Sequence, residues 1–341
     1  MLSSRPVWLL TNRTAYAAER NWVRDETGVH WWLVAIRATF EFPEGGPLSL
    51  AQEQVPPVLE PVYTGDPGAS SLYADSDLLA RKPTTDVILM GSAHAPKGKP
   101  ASDVAVGMRV GAELKQLRVF GDRVYYEGAG GLTTTAPKPF VRQPLSYELA
   151  YGGLDDTGPD PAAHRLDERN PVGRGFCRRA AHVANEPAHV IEYPDGDFKT
   201  RGPAGFGPID RGWLPRRPLA GTYDAAWVET KKPLLPDDYD ARFALCSPED
   251  QRPKVPLVGG ERVGLLNVVP EGTVAFTLPQ LRFEVVSRFG RSQRPHAPAL
   301  LATVHIDTDA RRVSLTWQSS LRVAAPDTDH LDETTVEEVT A

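Results

Sequence analysis

Cysteine, methionine and long apolar runs are what this 341-residue chain has least of: two cysteines, three methionines, and no window near the roughly 18 apolar residues of a membrane helix. Cys177 and Cys246 are too few and too far apart for a disulfide framework or a closed zinc site, and no CxxC pair occurs. Both are read as reduced thiols. The opening MLSSRPVWLLTNRT lacks a charged segment followed by a long apolar one, so the expected location is the cytoplasm, with no membrane partner. Basic clusters are also missing. Net charge is −6, and Asp327, Asp329, Asp332, Glu333, Glu337 and Glu338 follow Pro326 with no Lys or Arg among them. Without them the body is about neutral, which gives nucleic acid no electrostatic footprint. Residues 327–341 read as a solvated, disordered acidic tail, with a short interaction peptide as the alternative.

Glycine and proline are abundant instead, at 29 and 32 residues, which favours a turn-rich β architecture over a helical one. They concentrate between Tyr151 and Pro218, in segments such as NPVGRGF (170–176) and PAGFGPI (203–209). Proline removes a backbone donor and glycine suits positive φ, so this stretch cannot be ordinary helix or sheet. Tyr151, Phe176, Tyr193, Phe198, Phe206 and Trp213 are interleaved with the turns, and large apolar side chains at that spacing anchor loops onto a core. The expectation is a long, ordered, irregular surface, a feature that usually serves recognition or catalysis.

The clearest strand is 31–42, where Trp32, Val34, Ile36, Ala38, Phe40 and Phe42 share one face and Arg37, Thr39 and Glu41 the other. Period two predicts a strand with one buried and one wet face. Further strands are predicted at 85–90, in a meander over 103–124 turning at Gly111-Ala112, and at 263–269, 273–278, 281–285, 303–306 and 313–317, with Leu321 and Val323 closing the last. Short helices are predicted at 223–230 and 239–246. No repeat of about 20 to 50 residues is present, which excludes a solenoid or propeller pattern. The fold class is therefore mainly β: an antiparallel β-sandwich-like assembly with a long irregular Gly/Pro-rich centre and a few short helices. Residues 1–326 read as one domain, with β-rich blocks 1–145 and 255–326 flanking an irregular 146–254. Two separable β-domains are the alternative.

Chemistry-bearing motifs are sparse. Gly128-Ala-Gly130-Gly131 lacks full dinucleotide-loop spacing, Gly98-Lys99 precedes proline, and neither GxSxG nor HExxH occurs. Ser92 and His94 lie two apart in GSAHAP, a spacing that does not make a dyad, and His94 reads as a turn histidine. Cys177 has Arg174, Arg178 and Arg179 nearby, and cations lower a thiol pKa, but no general base can be assigned to it. His182 and His189 are seven apart. Asp66, Asp75 and Asp77, and Asp237, Asp238 and Asp240, lack calcium-loop spacing, and the second group reads as a helix cap. Tyr223 and Trp227, four apart, read as core packing on one helix face. No cofactor, metal or small-molecule substrate is expected.

Taken in order, WLVAIRATFEF (32–42), VYTGDPGASSLYADSDL (62–78), RKPTTDVILMGSAHAP (81–96), VFGDRVY (119–125), NPVGRGF, PAGFGPI and AGTYDAAWVETKKPLLPDDYDARF (220–243) resemble the domain-of-unknown-function family 2169, over about residues 10 to 320. The resemblance implies a non-enzymatic adaptor or chaperone, encoded beside type VI secretion components, that stabilises a secreted effector toxin and helps load it onto the VgrG or PAAR spike. It carries over no catalytic residues. An adaptor needs aromatic and arginine anchors on a preformed surface, and Arg174, Phe206, Trp213 and Arg216 are the candidates. Each has an internal reading too, and for Phe206 and Trp213 anchoring of the loop outweighs partner contact. The rival expectations are a hydrolase-like enzyme using Cys177 or His94 in the central loops, and a carbohydrate-binding β-sandwich module.

Overall fold

The computed structural model describes residues 7–42, 46–196 and 201–340. They run through β1 (Leu9–Asn12), β2 (Ala17–Arg24), β3 (His30–Glu41), β4 (Asp86–Met90) and the hairpin β5 (Asp103–Val110) and β6 (Glu113–Phe120). The irregular middle follows, with two-residue strands such as β7 (Ile191–Glu192), several 3-10 turns and α1 (Ala225–Thr230). Regular strands resume as β8 (Arg262–Leu266), β9 (Thr273–Thr277), β10 (Phe283–Phe289), β11 (Ser292–Pro295), β12 (Leu300–Asp307), β13 (Arg312–Val323) and β14 (Leu331–Glu338).

These strands build a six-stranded sheet containing β2-β3-β13-β12-β4, a five-stranded sheet β7-β6-β5-β8-β9 and a four-stranded sheet β1-β14-β10-β11. Strands from both β-rich blocks meet in all three. Most pairs are antiparallel, as period two and tight turns dictate, but β4 with β12 and β1 with β14 are parallel. One hydrophobic core joins the sheets: Val34 and Ile36 of β3, Val106 of β5, Leu117 of β6, Val263 of β8, Phe283 of β10 and Leu315 of β13 all belong to it. At about 25 cal/mol per Å² of apolar surface removed from water, such burial is the main term holding sheets face to face.

The expected wet face of β3 is covered. Leu33 and Ala35 pack with Leu78, and Arg37 forms an ion pair with Asp77 at 2.9 Å in the interior. Gln54 accepts from Thr39 N at 2.9 Å and donates to Thr39 O at 3.0 Å. The strap containing residues 54–78 thus closes the outer side of a strand that already has a neighbour on each edge.

The second correction is the acidic tail. Residues 325–330 make a 3-10 turn, and β14 inserts between β1 and β10 with Leu331, Asp332, Thr334 and Val336 buried. Its acids have specific partners: Glu333 accepts from Thr11 Oγ1 at 2.6 Å and pairs with Arg288 at 3.0 Å, and Asp332 accepts from Gly290 N at 2.8 Å. Helix α1 falls inside the expected 223–230 and is capped by Asp224, which accepts from Trp227 N at 2.9 Å. The second expected helix reduces to a 3-10 turn, Ala241–Ala244, capped by Asp240 through Arg242 N. Asp238 instead accepts from Thr222 N and Oγ1. Among the described residues no helix is long and apolar enough to cross a membrane.

Candidate partner-binding surface

The glycines of the central region are there because backbones touch. Tyr151–Gly152 pairs in parallel with Arg174–Gly175, and Leu154–Asp155 pairs antiparallel with Arg165–Leu166. Asn170, fully buried, is the hub: its Nδ2 donates to Tyr147 O (2.8 Å) and Tyr151 O (3.0 Å), and its carbonyl accepts from Gly153 N (2.7 Å). A Cβ on Gly152 would stand 2.3 Å from Asn170 O, and one on Gly173 2.4 Å from Asn170 Nδ2. At Gly175, whose φ is +95°, the added carbon would meet the Tyr125 hydroxyl at 1.9 Å.

That hydroxyl belongs to a buried polar network. Tyr125 Oη lies 2.5 Å from His189 Nδ1, His189 Nε2 lies 3.1 Å from Glu192, and Glu192 pairs with Arg123. Burial pushes the Tyr125 phenol well up and the His189 imidazole down. The phenol therefore stays protonated at neutral pH, and the network acts as a polar support under the loop.

Two clefts open on this platform. One, of about 310 Å³, is lined by Tyr151, Leu166, Asp167, Arg169, Phe176 and Leu214. The other, of about 440 Å³, is lined by Leu154, Asp156, Arg174, His182, Glu186 and others, and shares Phe176 with the first. Between them Leu154 and Leu166 form a cross-strand pair, 53% and 42% exposed. Arg174 is half-buried and has no ion-pair partner among the described residues. Asp155, at the base of the larger cleft, accepts from Arg178 N (2.8 Å), Arg178 Nε (3.2 Å) and His182 Nδ1 (3.0 Å). Burial alone would raise its pKa, but these bonds hold the carboxyl well below the usual range. Asp155 is thus a fixed anion that orients His182 and ties the 178–182 turn to the hairpin, and it does not serve as an acid.

Of the four candidate anchors, the structure presents only Arg174 at a cleft. Phe206 is fully buried, with its carbonyl accepting from Leu89 N (3.2 Å) and Gln251 Nε2 (3.0 Å). Trp213 packs edge-on against Tyr147 at 5.7 Å. Arg216 is 1% exposed, with its guanidinium on Asp75 (2.6 Å), Phe243 O (2.9 Å) and Ile209 O (2.8 Å). Burial places all three on the internal reading, which was open for Arg216 and favoured for Phe206 and Trp213, and their candidacy as partner anchors is withdrawn: they pin the irregular loop to the core, since its backbone supplies too few regular bonds to hold itself. Phe198 lies outside the described residues. Sequence reasoning missed Leu154 and Leu166, whose signal was two leucines at the ends of a hairpin that holds no other large apolar side chain.

The remaining candidates are scattered. Cys177 is half-buried, and Cys246 is buried against Asp86, where burial pushes its thiol far up. Asp86 accepts from Cys246 N (3.1 Å) and Ser247 Oγ (2.6 Å) and pairs with the buried Lys82 at 2.7 Å. His94 sits on a short strand, not a turn, and Ser92 donates to Asp309 (2.9 Å). Gly128 and Gly131 close a hairpin. Tyr223 and Trp227 do pack edge-to-face, with ring centres 4.8 Å apart, but Tyr223 is 52% exposed, so the pair lies on the surface and not in the core. Among the described residues no group of three or more His, Cys, Asp or Glu could hold a metal ion.

Fold and surface together define a mainly β protein whose irregular centre is locked onto mixed sheets and carries two adjoining clefts. The chain belongs to the DUF2169 family: the model of that family, described as uncharacterized protein conserved in bacteria, matches residues 27–318. No curated protein and no solved structure matches it.

Proposed function

We propose that this protein is a cytoplasmic, non-catalytic adaptor that grips a partner protein at the paired clefts. The partner class is the one the family resemblance implies, a type VI secretion effector handed on to the VgrG or PAAR spike. One observation carries the reading. Two exposed leucines, flanked by clefts and by an arginine without an ion-pair partner among the described residues, sit on a backbone whose glycines and buried Asn170 leave it little freedom. A preordered apolar centre with a guanidinium beside it is what protein interfaces use as anchors, because little entropy is lost on docking.

The test is co-expression of the tagged protein with the effector encoded beside it, followed by titration of the purified pair. The wild type is expected to retain the effector, and Leu154→Asp with Leu166→Asp to bind at least about tenfold more weakly at unchanged thermal stability. Equal binding by the double variant, or no retention by the wild type, refutes the reading.

A further inference from the structure

The five-stranded sheet ends in an unguarded edge. In the β8–β9 ladder Val263 lies opposite Phe276 and Leu265 opposite Val274. Leu278 N donates to Glu261 O, and Gly111 N donates to Arg262 O on the other side of β8. With that alternation, Val274 and Phe276 turn their backbone groups toward β8, while Thr273, Ala275 and Thr277 turn theirs outward. No hydrogen bond to those outward groups occurs among the described residues. The same three residues are exposed, whereas Val274 and Phe276 enter the core.

Three other sheet edges are shielded. β4 is bonded along its free side by Phe206 O and Gln251. β2 carries Glu19, Arg20 and Arg24, with Arg20 Nε donating to Trp8 O of the segment beside it. β11 ends in Arg294-Pro295. Charge, proline and cover are the devices that keep strand edges from pairing, and β9, Thr-Val-Ala-Phe-Thr, has none of them.

The geometry points to β9 as a self-pairing edge whose occupant is the β9 strand of a second copy of this chain. The sequence is pseudo-palindromic about Ala275. In an antiparallel two-fold pair Thr273 faces Thr277 of the other copy, Val274 faces Phe276, and Ala275 faces itself. Ala275 is an outward-bonding residue, so the two-fold axis falls on a hydrogen-bonded pair. The apolar cross-strand contacts fall on the core side, the threonines meet on the solvent side, and no like charges oppose one another anywhere along the five residues. Pairing joins two five-stranded sheets into one. The loop reaching the C-terminal end of the strand, where Gly260 N donates to Leu278 O, also carries Val255 and Val258, 75% and 66% exposed. The contact is isologous, the usual form for a dimer, and pairing over five edge residues is expected to bury less than the roughly 800 Å² per partner of a stable complex, which makes dimerisation depend on concentration in the micromolar range tested.

Sedimentation velocity on the full chain from about 1 to about 200 μM tests this. The wild type should shift from one chain toward two. Ala275→Lys keeps its side chain in solvent in the monomer but sets two ammonium groups face to face in the dimer, and should weaken association at least about tenfold. Hydrogen exchange supplies a reading that needs no variant: the amides of Thr273, Ala275 and Thr277 should gain protection as the wild-type concentration rises. A wild type that stays monomeric, or a dimer undiminished by Ala275→Lys with those amides unprotected, overturns the inference. So does an edge that captures a strand of the effector while the free protein remains monomeric.

Discussion

His305 is buried and His296 partly so, with Ser287 Oγ 2.8 Å from the His296 ring and the Tyr73 carbonyl 3.1 Å from the His305 ring. Burial lowers their pKa values to about 3 and about 4, with Arg37 adding to the effect at His305. In the unfolded chain both titrate near pH 6.5. Between those limits the unfolded state binds more protons, so stability falls as pH falls from about 6.5 toward 4. Each ring contributes a loss of about 2 kcal/mol by pH 5. Urea titrations at pH 7 and pH 5 should show the midpoint dropping, and an unchanged midpoint would count against burial of either ring. At this scale little was legible in sequence. Nothing around Arg216 says that its partner is Asp75, which lies on a different strap, and Asp75 entered the sequence reading only as part of a carboxylate cluster. Long-range ion pairs have no local signature, and the sequence accordingly left Arg216 open between partner contact and the interior.

Elements were read more fully, because periodicity is a local property. β3, the β5–β6 hairpin with its turn at Gly111-Ala112, and β13 sit where alternation and turn residues place them. Two readings failed for identifiable reasons. The wet face of β3 was inferred from Arg37, Thr39 and Glu41, although Leu33 and Ala35 on that same side were apolar and available to the strap. The tail was judged on charge, although Leu331 and Val336 supply core contacts and its acids find Arg288, Thr11 and backbone N–H groups. The NPVGRGF segment was recognised as irregular but not as a junction of touching backbones. Gly175→Ala tests that junction. Its positive φ and the 1.9 Å approach to the Tyr125 hydroxyl should cost about 2 kcal/mol or more. The nearby clefts should distort as well, so effector retention should fall along with the thermal midpoint. An alanine variant as stable as the parent would mean the loop is looser than drawn.

For the whole molecule, the two β-rich blocks are not stacked one on the other but interleaved, and the irregular middle adds β7 to the edge of the five-stranded sheet. β14 makes this most plain, since it pairs with β1 in parallel, matching Leu9 with Glu333, and with β10 in antiparallel fashion. Deleting residues 331–341 should leave β1 and β10 without a common neighbour and bare the core beneath Leu331 and Val336. The expected result is an aggregated product, judged by soluble yield and dye binding to exposed apolar surface; a soluble truncated chain with the parent's near-ultraviolet circular dichroism would show that the strand is dispensable. The surface proposed for the effector lies in the irregular centre and is a separate matter from this closure.

A strand that joins residue 9 to residue 333 also fixes an order of events during synthesis. The ribosome must pass residue 338 before the four-stranded sheet can exist, so β1 emerges early and waits through nearly the whole of translation for its neighbour. Contacts of such sequence separation are slow to form, and throughout that interval Leu9 and Leu10 are open to wrong partners. A nascent chain of this topology therefore has a built-in need for a holding factor, or for slow, dilute production, that its finished stability would not reveal.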